Sequence, residues 1–298
     1  MPFRFFGQPK LLTLVAVFFL APLLHAQEKP YFVTYSADLE EPGNLEIAFN
    51  GLAAAPKGSN AFSNHTLELE YGATAWWTAE FYAQAQSTAN DSTVFTGFRI
   101  ENRFRPLPRE YWVTPAIYIE YEQVSDADKS ILEVTGNDGI DKFRDTNAES
   151  RKSIAHTLEG KLLLSSNLRG WNISENFIAE KNMNNNPWEF GYAVAASRPL
   201  ALAGGVTRCI FCRQNFALGA EIYGGLGTRY AFGFRDTSHY AGPTVNFRIP
   251  SGPTVSFSPQ FGLSDNSVGT LWRFEVAYEV QQLRDLFHAN LTHTKEVR

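Results

Sequence analysis

Thr66-Leu67-Glu68-Leu69-Glu70-Tyr71, followed by Trp77-Thr78-Ala79-Glu80-Phe81-Tyr82-Ala83-Gln84, is the stretch that decides the fold. In the first run Leu67, Leu69 and Tyr71 alternate with Thr66, Glu68 and Glu70. In the second, Trp77, Ala79, Phe81 and Ala83 oppose Thr78, Glu80, Tyr82 and Gln84. Period two is the strand period, because successive side chains leave a pleated backbone on opposite faces. Each ribbon therefore has one greasy side and one polar, carboxylate-bearing side.

The same alternation recurs along the chain. Leu45, Ile47 and Phe49 alternate with Glu46, Ala48 and Asn50, and Ile117, Ile119 and Tyr121 with Glu120 and Glu122. Toward the end Trp272, Phe274, Val276, Tyr278 and Val280 oppose Arg273, Glu275 and Glu279. Twelve such strands are predicted, most about ten residues long, the length a tilted membrane β-strand requires. An even count is expected of a single-chain bacterial barrel. Only Glu175, on the greasy side of the run from Trp171, breaks the pattern without explanation.

The connectors alternate as well. Short ones at 73–75, 105–110, 166–170 and 250–252 are interleaved with longer ones at 53–64, 87–92, 123–153, 181–187, 225–239 and 263–269. The connector at 198–215 is the exception. Short periplasmic turns and long outer loops are the signature of a transmembrane barrel, and an even strand count puts both termini in the periplasm. All six tryptophans, Trp76, Trp77, Trp112, Trp171, Trp188 and Trp272, fall near predicted strand ends, where interface girdles sit. Closure has a physical cause: hydrocarbon offers the backbone no hydrogen-bond partner, so a spanning sheet must have no edge. The competing arrangement is a soluble β-sandwich with aromatics in its core, since soluble sheets alternate too.

Residues 1–26 differ from the rest of the chain. Arg4 and Lys10 precede an apolar run from Leu11 to Leu24, and Leu24-His25-Ala26 is a suitable cleavage site. The run is short for a membrane helix and has the plan of a secretory signal. The expected organisation is a signal peptide at 1–26, an N-terminal periplasmic segment at 27–43, a barrel at 44–280 and a tail at 281–298. Leu283, Leu286, Phe287 and Leu291 in the tail have helical spacing. Sec-type export to the outer membrane of a Gram-negative-type bacterium is the expected route and location.

Composition bounds the function. The 298 residues carry 26 basic and 31 acidic side chains, a net charge of −5, with 14% aromatic and 19% charged residues. That is too aromatic and too weakly charged for disorder, and the negative charge argues against nucleic acid as a partner. No G-x-S-x-G, H-E-x-x-H or Walker pattern occurs, and no strand is expected to carry the Ser and His two apart that outer-membrane lipases use, so no catalytic residue is assigned and no enzyme is expected. No metal site or cofactor is expected. Cys209 and Cys212 are a candidate disulfide in an exported chain, and residue 213 is Arg, where a c-type haem would need His. Asn137-Asp138-Gly139-Ile140-Asp141, with Asp126, Asp128 and Asp145 nearby, lacks the ligand series of an EF-hand and is expected to be a solvated, mobile outer loop.

The polar faces supply the candidate lumen: Glu46, Glu68, Glu70, Glu80, Arg99, Glu101, Arg103, Glu120, Glu122, Glu159, Lys161, Glu189, Glu221, Arg248, Arg273 and Glu275, with Glu180 and Glu279 beside them. Acids outnumber bases, and a wet acidic interior favours cations. The leading expectation is a passive channel for small solutes, with lipid as its surroundings. The alternative is a structural or interaction barrel with a plugged lumen and partner-binding outer loops.

Several short patterns are similar to a family of outer-membrane β-barrels, some described as transporters of the phenol-degradation MetA-pathway type. They are Glu68-Leu69-Glu70-Tyr71-Gly72 with Ala75-Trp76-Trp77, Glu101-Asn102-Arg103-Phe104, Tyr118-Ile119-Glu120-Tyr121-Glu122, Gly219-Ala220-Glu221, His239-Tyr240-Ala241-Gly242-Pro243 and Gly262-Leu263-Ser264. The resemblance implies an outer-membrane barrel with a channel role and carries over no catalytic residue. The cysteine-bearing connector and the long tail depart from it.

Overall fold

A computed structural model of the chain describes residues 31–130, 134–136, 143–184, 186–202, 209–250 and 252–283. The signal segment 1–26, the Asn137–Asp141 run and most of the tail lie outside them. The strands are β1 Leu45–Ala54, β2 Phe62–Thr74, β3 Trp77–Thr88, β4 Thr93–Phe104, β5 Thr114–Ser125, β6 Ile154–Leu168 and β7 Trp171–Asn182. They continue as β8 Trp188–Pro199, β9 Phe216–Thr228, the two-residue β10 Ala231–Phe232, β11 His239–Arg248, β12 Thr254–Gly262 and β13 Thr270–Val280. One helical turn, α1 Asn147–Ser150, lies in the longest loop.

Each strand pairs antiparallel with its sequence neighbour, and β1 also pairs with β13, Leu45 opposite Val280. The sheet closes into a twelve-stranded barrel, with β10 an extension of the β9 hairpin. Both ends of the chain's barrel portion meet at one rim. Turns at that rim are tight where the sequence expects them. β6 and β7 are joined through Arg169 (φ 52°) and Gly170 (φ 84°) alone, the two left-handed residues of a type I′ hairpin, whose twist matches that of the strands. The sandwich alternative is excluded, because a single closed sheet has no second layer.

The alternation seen in the sequence is a division between outside and inside. In β5, Thr114, Ala116, Tyr118, Glu120 and Glu122 are buried, while Ile117, Ile119 and Tyr121 are exposed. In β2, Asn64, Thr66 and Glu70 are buried and Leu67 is 47% exposed. An exterior of Ile, Leu, Phe and Val would be costly in water, at about 25 cal/mol per Å²; in hydrocarbon it is at home. Trp76, Trp112 and Trp171 stand exposed at the rim of the termini and Trp188 and Trp272 at the opposite rim, so the apolar band is bordered at both interfaces. Glu175 points outward from β7, and we have no physical account of it.

Candidate functional site: the carboxylate-lined lumen

Closure brings together residues that the sequence places far apart. Glu279 of β13 stands directly opposite Glu46 of β1, Glu46 opposite Glu70 of β2, and Glu70 opposite Glu80 of β3. Glu80 faces Glu101 of β4, Glu101 faces Glu120 of β5, and Glu120 faces Glu159 of β6. Glu159 faces Glu180 of β7, which faces Glu189 of β8. Nine glutamates on nine consecutive strands thus form one unbroken cross-strand ladder. Strands tilt in a barrel, so a line of direct partners climbs along the axis. The ladder begins beside the termini, one residue from the ends of β1 and β13, and finishes one residue into β8 at the opposite rim. Like charges directly opposite in a sheet destabilise it, so water and cations must offset this array.

Three bases serve its centre. Arg103 bonds Glu70 and Glu80 and lies 3.2 Å from Glu101. Arg99 reaches Glu120 at 3.2 Å and Glu122 at 3.9 Å. Lys161 contacts Glu159 at 2.9 Å. Tyrosine rings cover the same cations: Arg99 sits 4.3 Å from the Tyr82 centroid and Lys161 4.1 Å from that of Tyr118. Toward the ladder's ends Asn44 Nδ2 donates to Glu279 at 2.6 Å and the Thr135 hydroxyl donates to Glu180.

Two further elements enter the lumen. The first is the segment 31–41, expected from the sequence to be periplasmic; it lies instead against the inner wall of β6 to β9. The amides of Phe32, Val33 and Thr34 converge on the Glu221 carboxylate, the last two at 3.1 and 3.0 Å, and Gln260 Nε2 donates to the same group at 3.1 Å. Tyr35 N–H donates to Asn176 Oδ1 at 2.6 Å and Asn176 Nδ2 returns a bond to the Tyr35 carbonyl at 2.8 Å. The Tyr31 hydroxyl donates to Asn172 Oδ1, and Ala37 N–H to Ser165 Oγ. Tyr35 and Ala37 also pack on Ala116, Tyr118 and Leu163, an apolar patch inside an otherwise polar lumen. Burial raises the Tyr31 and Tyr35 phenols above the usual tyrosine range. An extended strap is the natural form here, since it presents its backbone donors to a row of side-chain acceptors.

The second element is the loop after β5. It is expected to be solvated and mobile, yet its described parts fold into the far mouth. Asp128 is fully buried and accepts from Asn64 Nδ2, Thr96 Oγ1, Ser130 N–H and Ser130 Oγ. Lys129 donates to the Phe143 carbonyl at 3.0 Å, and Phe143 stacks on Phe62; desolvation lowers the Lys129 pKa. Gly136 bonds the Phe190 carbonyl and bridges to Gly227, so the loop crosses from β5 to the β8–β9 wall. Buried polar anchors, rather than solvent, satisfy it.

Between strap, loop and the β13–β5 wall lies a cavity of about 480 Å³. Its lining extends from Asn44, Gln281 and Gln282 at the termini to Ser130, Val134 and Thr135 at the far mouth. Twelve acidic and four basic residues line it. Within it the carboxylates of Glu46, Glu68 and Glu70 come within 4.8 Å of one another, a group able to hold a cation. Of the predicted lumen residues, Glu46, Glu68, Glu70, Glu80, Arg99, Arg103, Glu122, Glu159, Lys161, Arg273 and Glu275 line this cavity. Glu101, Glu120 and Glu221 are buried beneath it. Glu189 lies against Gly136 at the far rim, and Arg248 ends β11 at the rim of the termini. Cys209 and Cys212 form a disulfide with Cα atoms 5.5 Å apart, on the connector at the rim of the termini.

One pair corrects the expectation that no strand carries a Ser and a His two apart. Ser63 and His65 are two apart on β2, flank the buried Asn64 and so face outward, with Oγ 3.0 Å from Nε2. The Ser-x-His spacing was visible in the sequence. Among the described residues no carboxylate or amide bonds the other ring nitrogen, so the group that would orient the base is missing.

No protein-family model and no curated protein matches the chain, so the resemblance to the MetA-pathway type stands on short motifs alone. Among solved structures, an outer-membrane channel from Pseudomonas putida F1 is similar at 9% identity and TM-score 0.48, covering 85% of this chain and 99% of that one. LpxR from Salmonella typhimurium is similar at 12% identity and TM-score 0.41, covering 78% and 99%. Outer membrane phospholipase A from Escherichia coli is similar at 10% identity and TM-score 0.39, covering 87% and 95%. At these values the likenesses decide nothing between transport and catalysis.

Proposed function

We propose that this chain is a passive, cation-preferring channel for small solutes in the outer membrane of a Gram-negative-type bacterium. The observation that carries the reading is the acid-rich cavity whose lining runs from one rim to the other beside the carboxylate ladder. Fixed charge of one sign in a confined passage raises the local concentration of counter-ions and excludes co-ions. Phenols and amides among the carboxylates supply neutral stepping stones, and no cofactor is required. The Ser63–His65 pair, without an orienting partner, supports no hydrolytic reading.

The test is planar-bilayer conductance of the refolded full chain under a KCl gradient. A reversal potential of the sign for K⁺ over Cl⁻ is expected, reduced in the Glu46→Gln/Glu68→Gln variant. Anion preference would overturn the reading. The strap and the inward loop give a second reading its support, a plugged structural barrel. Absence of conductance above the lipid background would select it.

A further inference from the structure

Resting on the cation-channel reading, we infer that the cavity end lined by Glu46, Glu68, Glu70, Glu275 and Glu279 binds linear polyamines, chains of ammonium groups separated by three or four methylenes. The first argument is spacing. Adjacent strands lie about 4.8 Å apart, so carboxylates on successive strands in direct register recur at about that interval. Ammonium groups across three or four methylenes recur at a similar one. A single metal ion would use one point of this array, such as Glu46, Glu68 and Glu70; an extended polycation can engage that point together with Glu275 and Glu279 beside it, short of the rungs that Arg103, Arg99 and Lys161 hold.

The second argument is independent of the acids. The Oε1 atom of Gln84 is buried without a hydrogen-bond partner, and Gln84, only 1% exposed, lines the same cavity. Gln84 stands opposite Thr66, two residues along β2 from Glu68. An orphaned acceptor is costly, and what it lacks is a donor, which an ammonium supplies and an anion does not.

The third argument is the chemistry the barrel already uses on itself. The Lys161 ammonium is held between the Glu159 carboxylate, at 2.9 Å, and the Tyr118 and Tyr35 rings, at 4.1 and 4.6 Å. That is a primary alkylammonium in a carboxylate and tyrosine cage, with cation–π attraction adding to charge. Tyr82, opposite Glu68 on the cavity wall, makes the same kind of contact with Arg99, 4.3 Å from its centroid.

The experiment is calorimetric titration of the folded full chain in detergent with spermidine, and separately with Mg²⁺ and with tetramethylammonium. Spermidine is expected to bind at least about tenfold more tightly than either, with affinity falling as salt rises. Glu46→Gln/Glu68→Gln is expected to weaken it about tenfold or more, and Gln84→Leu several-fold, as losses of charge-assisted and neutral hydrogen bonds imply. The ranking of the three cations on the wild-type protein needs no variant to fold. Equal affinity for Mg²⁺, or no spermidine binding, overturns the polyamine assignment. The bilayer measurement decides the channel reading separately: K⁺-selective current without spermidine binding leaves the channel and removes the polyamine, and binding without current does the reverse.

Discussion

Replacing Glu221 by Gln should release the strap. Glu221 Oε2 accepts from Val33 and Thr34 at 3.1 and 3.0 Å and, at 3.4 Å, from Phe32; Oε1 accepts from Phe32 at 3.2 Å and Gln260 at 3.1 Å. The carboxylate is 2% exposed, so water does little to screen or replace these bonds. The amide keeps one oxygen, loses the charge, and turns an N–H toward donors. Charge-assisted bonds are roughly twice as strong as neutral ones, so about 1 kcal/mol is lost at each of three strap amides. With one donor left facing another, docking weakens by roughly 3–5 kcal/mol, a shift of about a hundredfold to several thousandfold in the docked population.

Hydrogen exchange on peptides covering 31–38, with strand amides as internal standard, reads this directly. Protection at residues 32–34 should fall by that factor while β-strand protection is unchanged. Channel current should rise, because the strap shares the cavity wall. The control is Glu175→Gln, an outward glutamate on β7 that touches neither strap nor cavity. Exchange at 32–34 within about twofold of the wild type, in a barrel that is still folded, would refute the claim that Glu221 anchors the strap.

Three other outcomes are expected of the same interior. Asp128→Ala leaves the Asn64 and Thr96 donors without their acceptor; loop docking should weaken by roughly 2–4 kcal/mol, read as faster proteolysis between residues 126 and 150. Arg103→Met strands Glu70, Glu80 and Glu101 without their shared base; a cost of roughly 3–5 kcal/mol should lower the temperature at which the barrel's folded gel mobility is lost. The raised phenols of Tyr31 and Tyr35 set a pH dependence. Their contribution to strap docking is full below the unfolded tyrosine value of about 10 and is lost as pH rises toward the folded values. Current should therefore increase as pH rises above about 10, and less so in Tyr35→Phe.

Orientation of side chains was legible in the sequence because it is a local property. Alternation in Thr66–Tyr71 or Trp77–Gln84 assigns each residue to one of two faces whatever the partner strand, one acidic and one greasy. The twelve strands and the excess of carboxylates on one face needed no tertiary information; that the sheet closes, rather than stacking as a sandwich, rests on the β1–β13 pairing. The carboxylate ladder did. Glu46, Glu101 and Glu180 look alike in the sequence, and only strand register decides that they fall on one continuous line. Register is set by turn geometry and by closure of β1 on β13, which no single strand encodes.

The contents of the lumen were likewise decided by tertiary structure. The 27–43 segment reads as periplasmic and the stretch around Asp128 as a solvated loop, because anchoring partners such as Glu221, Asn176, Asn64 and Thr96 lie more than thirty residues away in sequence. A barrel interior supplies buried acceptors such as Glu221 and Asn176, and buried donors such as Asn64, only after it has closed. Backbone groups that would otherwise bind water then bind the wall, and that exchange, invisible to any local pattern, is what fills part of the lumen.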